Sequence, residues 1–125
     1  MRVAKNYRIL VVNDELEILK VIEEFLSRQG FSVWIALGSE KALEVLTSGS
    51  NIDLIIVDLK MPKMGGIKLI EEIRRLRKDI PIIVLTGSIY IEKYREELNR
   101  LNCKEVLLKP IDLNLLLEKI RKRLS

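Results

Sequence analysis

In NIDLIIVDLKMPKMGG, residues 51–66, an unbroken apolar run at 54–57 stops at Asp58 and gives way to a loop of Lys, Met, Pro and Gly. A run this short, bounded by turn signals, reads as a strand buried on both faces. The same arrangement recurs three times. Residues 9–12 lead into Asn13 and Asp14, 82–85 into Thr86, and 106–108 into Lys109. Open parallel sheets bind ligands beyond the carboxyl ends of their strands. The pattern therefore gathers two carboxylates, a hydroxyl and an ammonium at one edge.

Strand-like and helix-like segments alternate five times, the signature of an α/β domain with a parallel sheet. The strands read as Arg8–Asn13, 31–36, Leu54–Asp58, Ile82–Thr86 and Glu105–Leu108. LIIV and PIIVL are continuously apolar, as central strands should be. FSVWIA alternates more and suits an edge strand, with Trp34 near that edge. Between the strands run helical stripes: Leu16, Leu19, Ile22 and Leu26 closed by Gly30; Ala42, Leu43 and Leu46 capped by Ser39 and stopped near Gly49; Ile70, Ile73 and Leu76; Tyr94, Leu98 and Leu101; and Leu113, Leu116, Leu117, Ile120 and Leu124. These stripes read as core.

A chain of 125 residues fits one domain with a core that needs no staples. Its apolar fraction of 48 % argues against disorder, and no apolar run approaches the roughly 20 residues that span a bilayer. A soluble, non-membrane protein is expected, with no signal peptide and, by default, a cytoplasmic location. Cys103 has no partner for an internal disulfide, and with no His in the chain the common zinc constellations are excluded. The net charge of +4 comes from 22 basic residues dispersed among 18 acidic ones. Arg121, Lys122 and Arg123 have a sufficient reason in the dipole of the last helix, so direct nucleic-acid binding is not expected.

Asp14 and Asp58 each close an apolar run read as central, where an unpaired carboxylate would be costly. A hard divalent ion such as Mg²⁺ suits two carboxylates, a backbone carbonyl and waters, and it bridges phosphoryl oxygens. Two acids capping the helices that follow are the simpler alternative. Lys109, held before Pro110, offers a point charge for phosphate, though singly it also reads as a solvated lysine and Thr86 as a helix cap. Asp53, at the opposite end of its strand, reads as a turn or cap residue, and Asp112 as the cap of the last helix.

VVNDE at 11–15, VDLKMPKMGG at 57–66, VLTGS at 84–88 and LLKP at 107–110 resemble the receiver domain of bacterial response regulators, in that family's order and spacing. The resemblance runs from about residue 7 to 124. It implies a flavodoxin-like, doubly wound, five-stranded parallel sheet of order 2-1-3-4-5 with five helices, forming a single receiver domain without an output domain. It also implies that Asp58 is the phosphoacceptor in a Mg²⁺-dependent reaction, with Lys109 and Thr86 assisting. Asp14, Asp58 and the Lys60 backbone carbonyl would ligate the ion. Met61, Pro62, Gly65 and Gly66 match the loop after the acceptor, where flexible backbone accommodates the phosphoryl group and starts the next helix. The implied partners are a sensor histidine kinase or phosphotransfer protein as donor, and a downstream protein on the face of helix 4, strand 5 and helix 5, including Tyr90, Lys93, Lys104 and Val106. Such a protein is a signalling switch that assists its own phosphorylation and dephosphorylation, not an enzyme of another substrate. Lys60 and Ser88 are placed to tune the approach of water to an acyl phosphate.

Two positions depart from the family pattern. Asn13 stands where an acidic residue is usual, leaving at most a weak or water-mediated metal ligand and weaker Mg²⁺ binding. Val106 replaces the aromatic that many members use in switching with Thr86. A phosphorylation-independent interaction module, or pseudo-receiver, is the alternative these departures raise. No GxGxxG or GxxxxGK[ST] loop supports a nucleotide-binding enzyme.

Overall fold

Successive residues of a strand point to opposite faces, and the apolar runs divide accordingly into two cores. Leu10, Val12, Ile55, Val57 and Val84 pack with Leu69, Ile70, Ile73 and Leu98 on one side. Ile9, Val11, Leu54, Ile56, Ile83 and Leu85 pack with Leu19, Ile22, Leu26, Leu116 and Ile120 on the other. Each such side chain, taken fully out of water, contributes about 1.5–3 kcal/mol before the entropy cost of folding.

The computed structural model of the chain describes residues 6–61 and 65–125, the side chains of 88–90 excepted. Pro62 and the side chains of Ser88 and Tyr90 thus lie outside the described residues. The elements are β1 (Arg8–Asn13), α1 (Leu16–Arg28), β2 (Ser32–Leu37), α2 (Ser39–Thr47), β3 (Leu54–Asp58), α3 (Gly65–Leu76), β4 (Ile82–Thr86), α4 (Ser88–Arg100), β5 (Glu105–Leu108) and α5 (Leu113–Leu124). All strand pairs are parallel, in the order β2-β1-β3-β4-β5. α1 and α5 cover one face of the sheet and α2, α3 and α4 the other. This is the flavodoxin-like sheet that the resemblance implied.

Four strands begin and end where the sequence places them. β2 runs one residue later than the 31–36 reading, because pairing with β1 matches Arg8 to Ser32 and Asn13 to Leu37. Trp34 lies on this edge strand, half-buried, with Arg8 over its ring. Leu16 and Leu76 are not core: each sits at a terminus of its helix, 46 % and 49 % exposed, beyond the stretch that meets the sheet. Ser39 does not cap α2. Gly38, with φ +93°, turns the chain one residue earlier and takes the capping position, which leaves Ser39 buried in the first turn with its hydroxyl 3.5 Å from the Gly65 carbonyl.

Away from the carboxyl edge, polar groups tie the layers together. The Arg74 guanidinium donates to the carbonyls of Ile80, Leu101 and Asn102. Asp53 accepts from the Arg8 backbone N–H at 2.8 Å, a turn role at the far end of β3. Asp112 caps α5 by accepting from the N–H groups of Asn114 and Leu115. Among the described residues, no helix is long and apolar enough to cross a membrane.

Candidate phosphoacceptor site

Asp58 ends β3, between β1 and β4, so its carboxylate lies at the carboxyl edge with only 1 % of the residue exposed. Among the described residues, three donors hold it. Lys109 Nζ is 2.7 Å from Oδ2, Asn13 Nδ2 is 3.2 Å from the same oxygen, and the Lys60 backbone N–H reaches Oδ1 at 3.1 Å. The charge of the buried acid is thus balanced by an ammonium, and neutral N–H groups supply the other two of these hydrogen bonds. Such pairing is what burial of a carboxylate requires.

Lys109 is delivered by β5. Its backbone N–H donates to the Thr86 carbonyl at 2.9 Å, which continues the β4–β5 ladder one residue past the strand. Thr86 closes β4, is 1 % exposed, and donates its hydroxyl to the Gly87 carbonyl at 3.2 Å. It does not cap α4; Gly87 occupies that position. In this state the hydroxyl is engaged locally and makes no hydrogen bond to Asp58.

Gly66, in the first turn of α3, lies against the backbone of Asp58 and Leu59. A Cβ there would stand 2.5 Å from Leu59 Cα and 2.6 Å from the Asp58 carbonyl oxygen, closer than any real side chain tolerates. The Gly66 N–H also donates to the Leu59 carbonyl at 3.0 Å. The second glycine of VDLKMPKMGG therefore permits close packing of backbone against backbone. For Gly66, close packing and not only the flexibility expected of the loop is the reason for a glycine.

Asp14 departs from expectation. β1 ends at Asn13, and Asp14 is exposed and makes no hydrogen bond or ion pair among the described residues. The burial argument thus applies to Asp58 and Asn13, not to Asp14. Its carboxylate is exposed at the same edge, one residue past a side chain bonded to Asp58. The donor set of two carboxylates and backbone oxygen fits a hard, partly hydrated cation such as Mg²⁺. Among the described residues, no three His, Cys, Asp or Glu side chains cluster around a metal position. A cation here would keep several waters.

Asn13 is the residue whose role the sequence least revealed. It is 1 % exposed, and while its Nδ2 donates to Asp58, its Oδ1 accepts the Glu15 N–H at 3.0 Å. The only signal in the sequence was an amide at a strand end where a carboxylate is usual. A groove of about 300 Å³ borders Asn13 and Lys109 and runs between α1, through Ile18 and Val21, and the β5–α5 loop at Pro110 and Ile111. On the α4–β5–α5 face, Glu105 pairs with Lys119 at 3.3 Å and Arg123 at 3.7 Å, and Val106 packs half-buried against the core.

Residues 9–121 match the family model described as the response regulator receiver domain. The chain is 36 % identical over 114 residues to the Regulator of RpoS of Escherichia coli K12, covering 90 % of this chain and 33 % of that protein. It is 43 % identical over 83 residues to a probable transcriptional regulator, ycf27, of Cyanidium caldarium, covering 66 % of this chain and 32 % of that one. The chain spans about a third of the length of these curated relatives. Among solved structures, a CheY-like response regulator receiver domain protein from Methanospirillum hungatei JF-1 superposes with a TM-score of 0.88 at 29 % identity, over 96 % of this chain and 94 % of that one. The response regulator TrrA of Thermotoga maritima, solved in complex with Mg²⁺–BeF, gives 0.81 at 37 % identity over 94 % and 98 %.

Proposed function

Because the chain belongs to the response regulator receiver family of two-component signalling, we propose that it is a phosphorylatable switch in which Asp58 is the phosphoacceptor. The observation that carries this reading is the buried carboxylate of Asp58 with Lys109 Nζ at 2.7 Å, at the edge where all parallel strands end. An Asp58 oxygen forms the new bond to phosphorus as the P–N bond of a donor phosphohistidine breaks, and the leaving imidazole keeps the electron pair and is protonated. The product is an acyl phosphate. Phosphoryl transfer is catalysed mainly by positioning and by charge held against the equatorial oxygens.

Lys109 supplies that charge by turning its ammonium from Asp58 to a phosphoryl oxygen. A Mg²⁺ ion, when bound, adds positive charge to the phosphoryl oxygens; Asp14, Asp58 and the Lys60 carbonyl are its proposed ligands, with Asn13 no nearer than through water. Thr86 exchanges its bond to the Gly87 carbonyl for one to the phosphoryl group, which draws the head of α4 inward and alters the α4–β5–α5 face. Lys93, Lys104 and Val106 belong to that surface, which is proposed to meet the downstream protein. The donor is a sensor histidine kinase or a phosphotransfer protein, and nucleic acid is not a direct partner: Arg123 of the basic α5 terminus is already paired with Glu105.

A second reading, a phosphorylation-independent docking module, draws on one observation. Asn13 already occupies Asp58 with a hydrogen bond. The two readings separate on acyl phosphate chemistry. After incubation with acetyl phosphate, the switch predicts a hydroxylamine-labile phosphate that tandem mass spectrometry places on Asp58, whereas the docking module predicts no label.

A further inference from the structure

Both ends of the Asn13 amide are committed, and its orientation is fixed by its neighbours. Nδ2 faces Asp58 Oδ2 at 3.2 Å and Oδ1 faces the Glu15 N–H at 3.0 Å. Reversing the amide would set oxygen against oxygen at Asp58 and N–H against N–H at Glu15. The one side-chain atom of Asn13 able to ligate a cation therefore points to the head of α1. What it turns toward Asp58 is the positive end of an N–H dipole, on the oxygen that Lys109 also holds. Glu15 precedes α1 and contributes no side-chain cap, so Asn13 Oδ1 is the side-chain acceptor serving that helix entry.

We propose that Asn13 is a resting-state latch on Asp58, a positioning residue that competes with the divalent cation for the acceptor instead of ligating it. A cation held by Asp58 would displace the amide. The displaced side chain also loosens its hold on the Glu15 N–H, so loading of the acceptor is transmitted to the first turn of α1 and to the groove between α1 and the β5–α5 loop. The inference rests on the receiver reading for its cation, and it adds that in this chain the metal-free acceptor is held closed by a neutral side chain.

Asn13→Asp tightens Mg²⁺ binding whether Asn13 is a weak ligand or a competitor, so Asn13→Ala is the discriminating variant. A competitor's removal strengthens Mg²⁺ binding, by about tenfold for a hydrogen bond to a charged group; a ligand's removal weakens it. Calorimetric titration with MgCl₂ reads the difference. A second measurement on the unaltered chain needs no variant to fold. With six Asn and one Gln, its side-chain amide spectrum is sparse. The latch predicts that the ¹⁵N-resolved Asn13 NH₂ pair is protected from exchange without metal and loses protection together with a shift of the Glu15 N–H as Mg²⁺ is added. Equal or weaker Mg²⁺ binding by Asn13→Ala, no Mg²⁺ binding by either protein, or Asn13 and Glu15 resonances indifferent to Mg²⁺ would each overturn the latch. Phosphorylation of Asp58 with unchanged Asn13→Ala affinity would leave the receiver reading standing alone. Tighter binding without any label on Asp58 would leave the latch standing and remove that reading.

Discussion

Lys109 Nζ stands 2.7 Å from Asp58 Oδ2, and it reaches that oxygen from the loop after β5, two strands across the sheet from β3. The pair joins chain segments 51 residues apart, so it exists only once the parallel sheet is assembled in register. The Lys109 side chain is 35 % exposed against 1 % for Asp58, which places the ammonium at the mouth of the site with the acid beneath it. That asymmetry suits the proposed exchange of the carboxylate for an incoming phosphoryl oxygen.

Lys109→Ala leaves Asp58 buried with only neutral donors. Discounted for the partial exposure of the lysine, the expected loss is about 1–3 kcal/mol of stability, measured by urea unfolding. Labelling of Asp58 by small phosphodonors should fall with it, and Lys109→Arg should not restore the rate, since a planar guanidinium does not replace a compact ammonium at this position.

Gly66→Ala places a methyl group 2.5 Å from Leu59 Cα and 2.6 Å from the Asp58 carbonyl oxygen. Both are backbone atoms and yield only if α3 or the end of β3 moves. The expected cost is about 2 kcal/mol or more, with a displaced Asp58 and slower labelling in the fraction that remains folded. Unfolding midpoints and labelling rates on the same sample check both effects.

Asp112→Ala provides a contrast. It removes the acceptor of the Asn114 and Leu115 N–H groups and nothing at the site. A loss of about 1 kcal/mol is expected, as for other N-caps, with the Asp58 labelling rate unchanged when measured well below the melting temperature.

Cys103 is buried, and burial pushes its thiol pKa up, against the lowering influence of the Arg74 guanidinium. Because the folded state favours the protonated thiol, the stability linked to this group is fully present below the pKa of the unfolded thiol and is lost as pH rises through the higher folded value. The native thiol should be nearly inert to a disulfide reagent at pH 7 and react fully in urea. Stability should decline in the alkaline range less steeply in Cys103→Ala than in the unaltered chain.

The central strands were legible because burial on both faces leaves them no polar position, so β1, β3, β4 and β5 start and stop where the apolar runs do. β2 slipped by one residue because an edge strand is half-buried along most of its length and its ends are set by pairing with β1. The residue type of Ser39 suits a cap, whereas the positive φ that gives Gly38 the position cannot be read from composition. At the site, Asp58, Thr86 and Lys109 were visible as chemistry at strand ends. The exposure of Asp14 and the bond from Asn13 to Asp58 were not, since both depend on where the chain leaves the sheet. Gly66 looked like loop flexibility because the atoms that demand a glycine belong to Leu59 and Asp58, across the turn.

The most direct measurement is the intact mass of the protein after incubation with acetyl phosphate or phosphoramidate, with and without Mg²⁺, beside Asp58→Asn. The account predicts one phosphate adduct that depends on Mg²⁺ and is missing from Asp58→Asn. A folded protein that takes up no phosphate at any Mg²⁺ concentration, or an adduct that persists in Asp58→Asn, would contradict it.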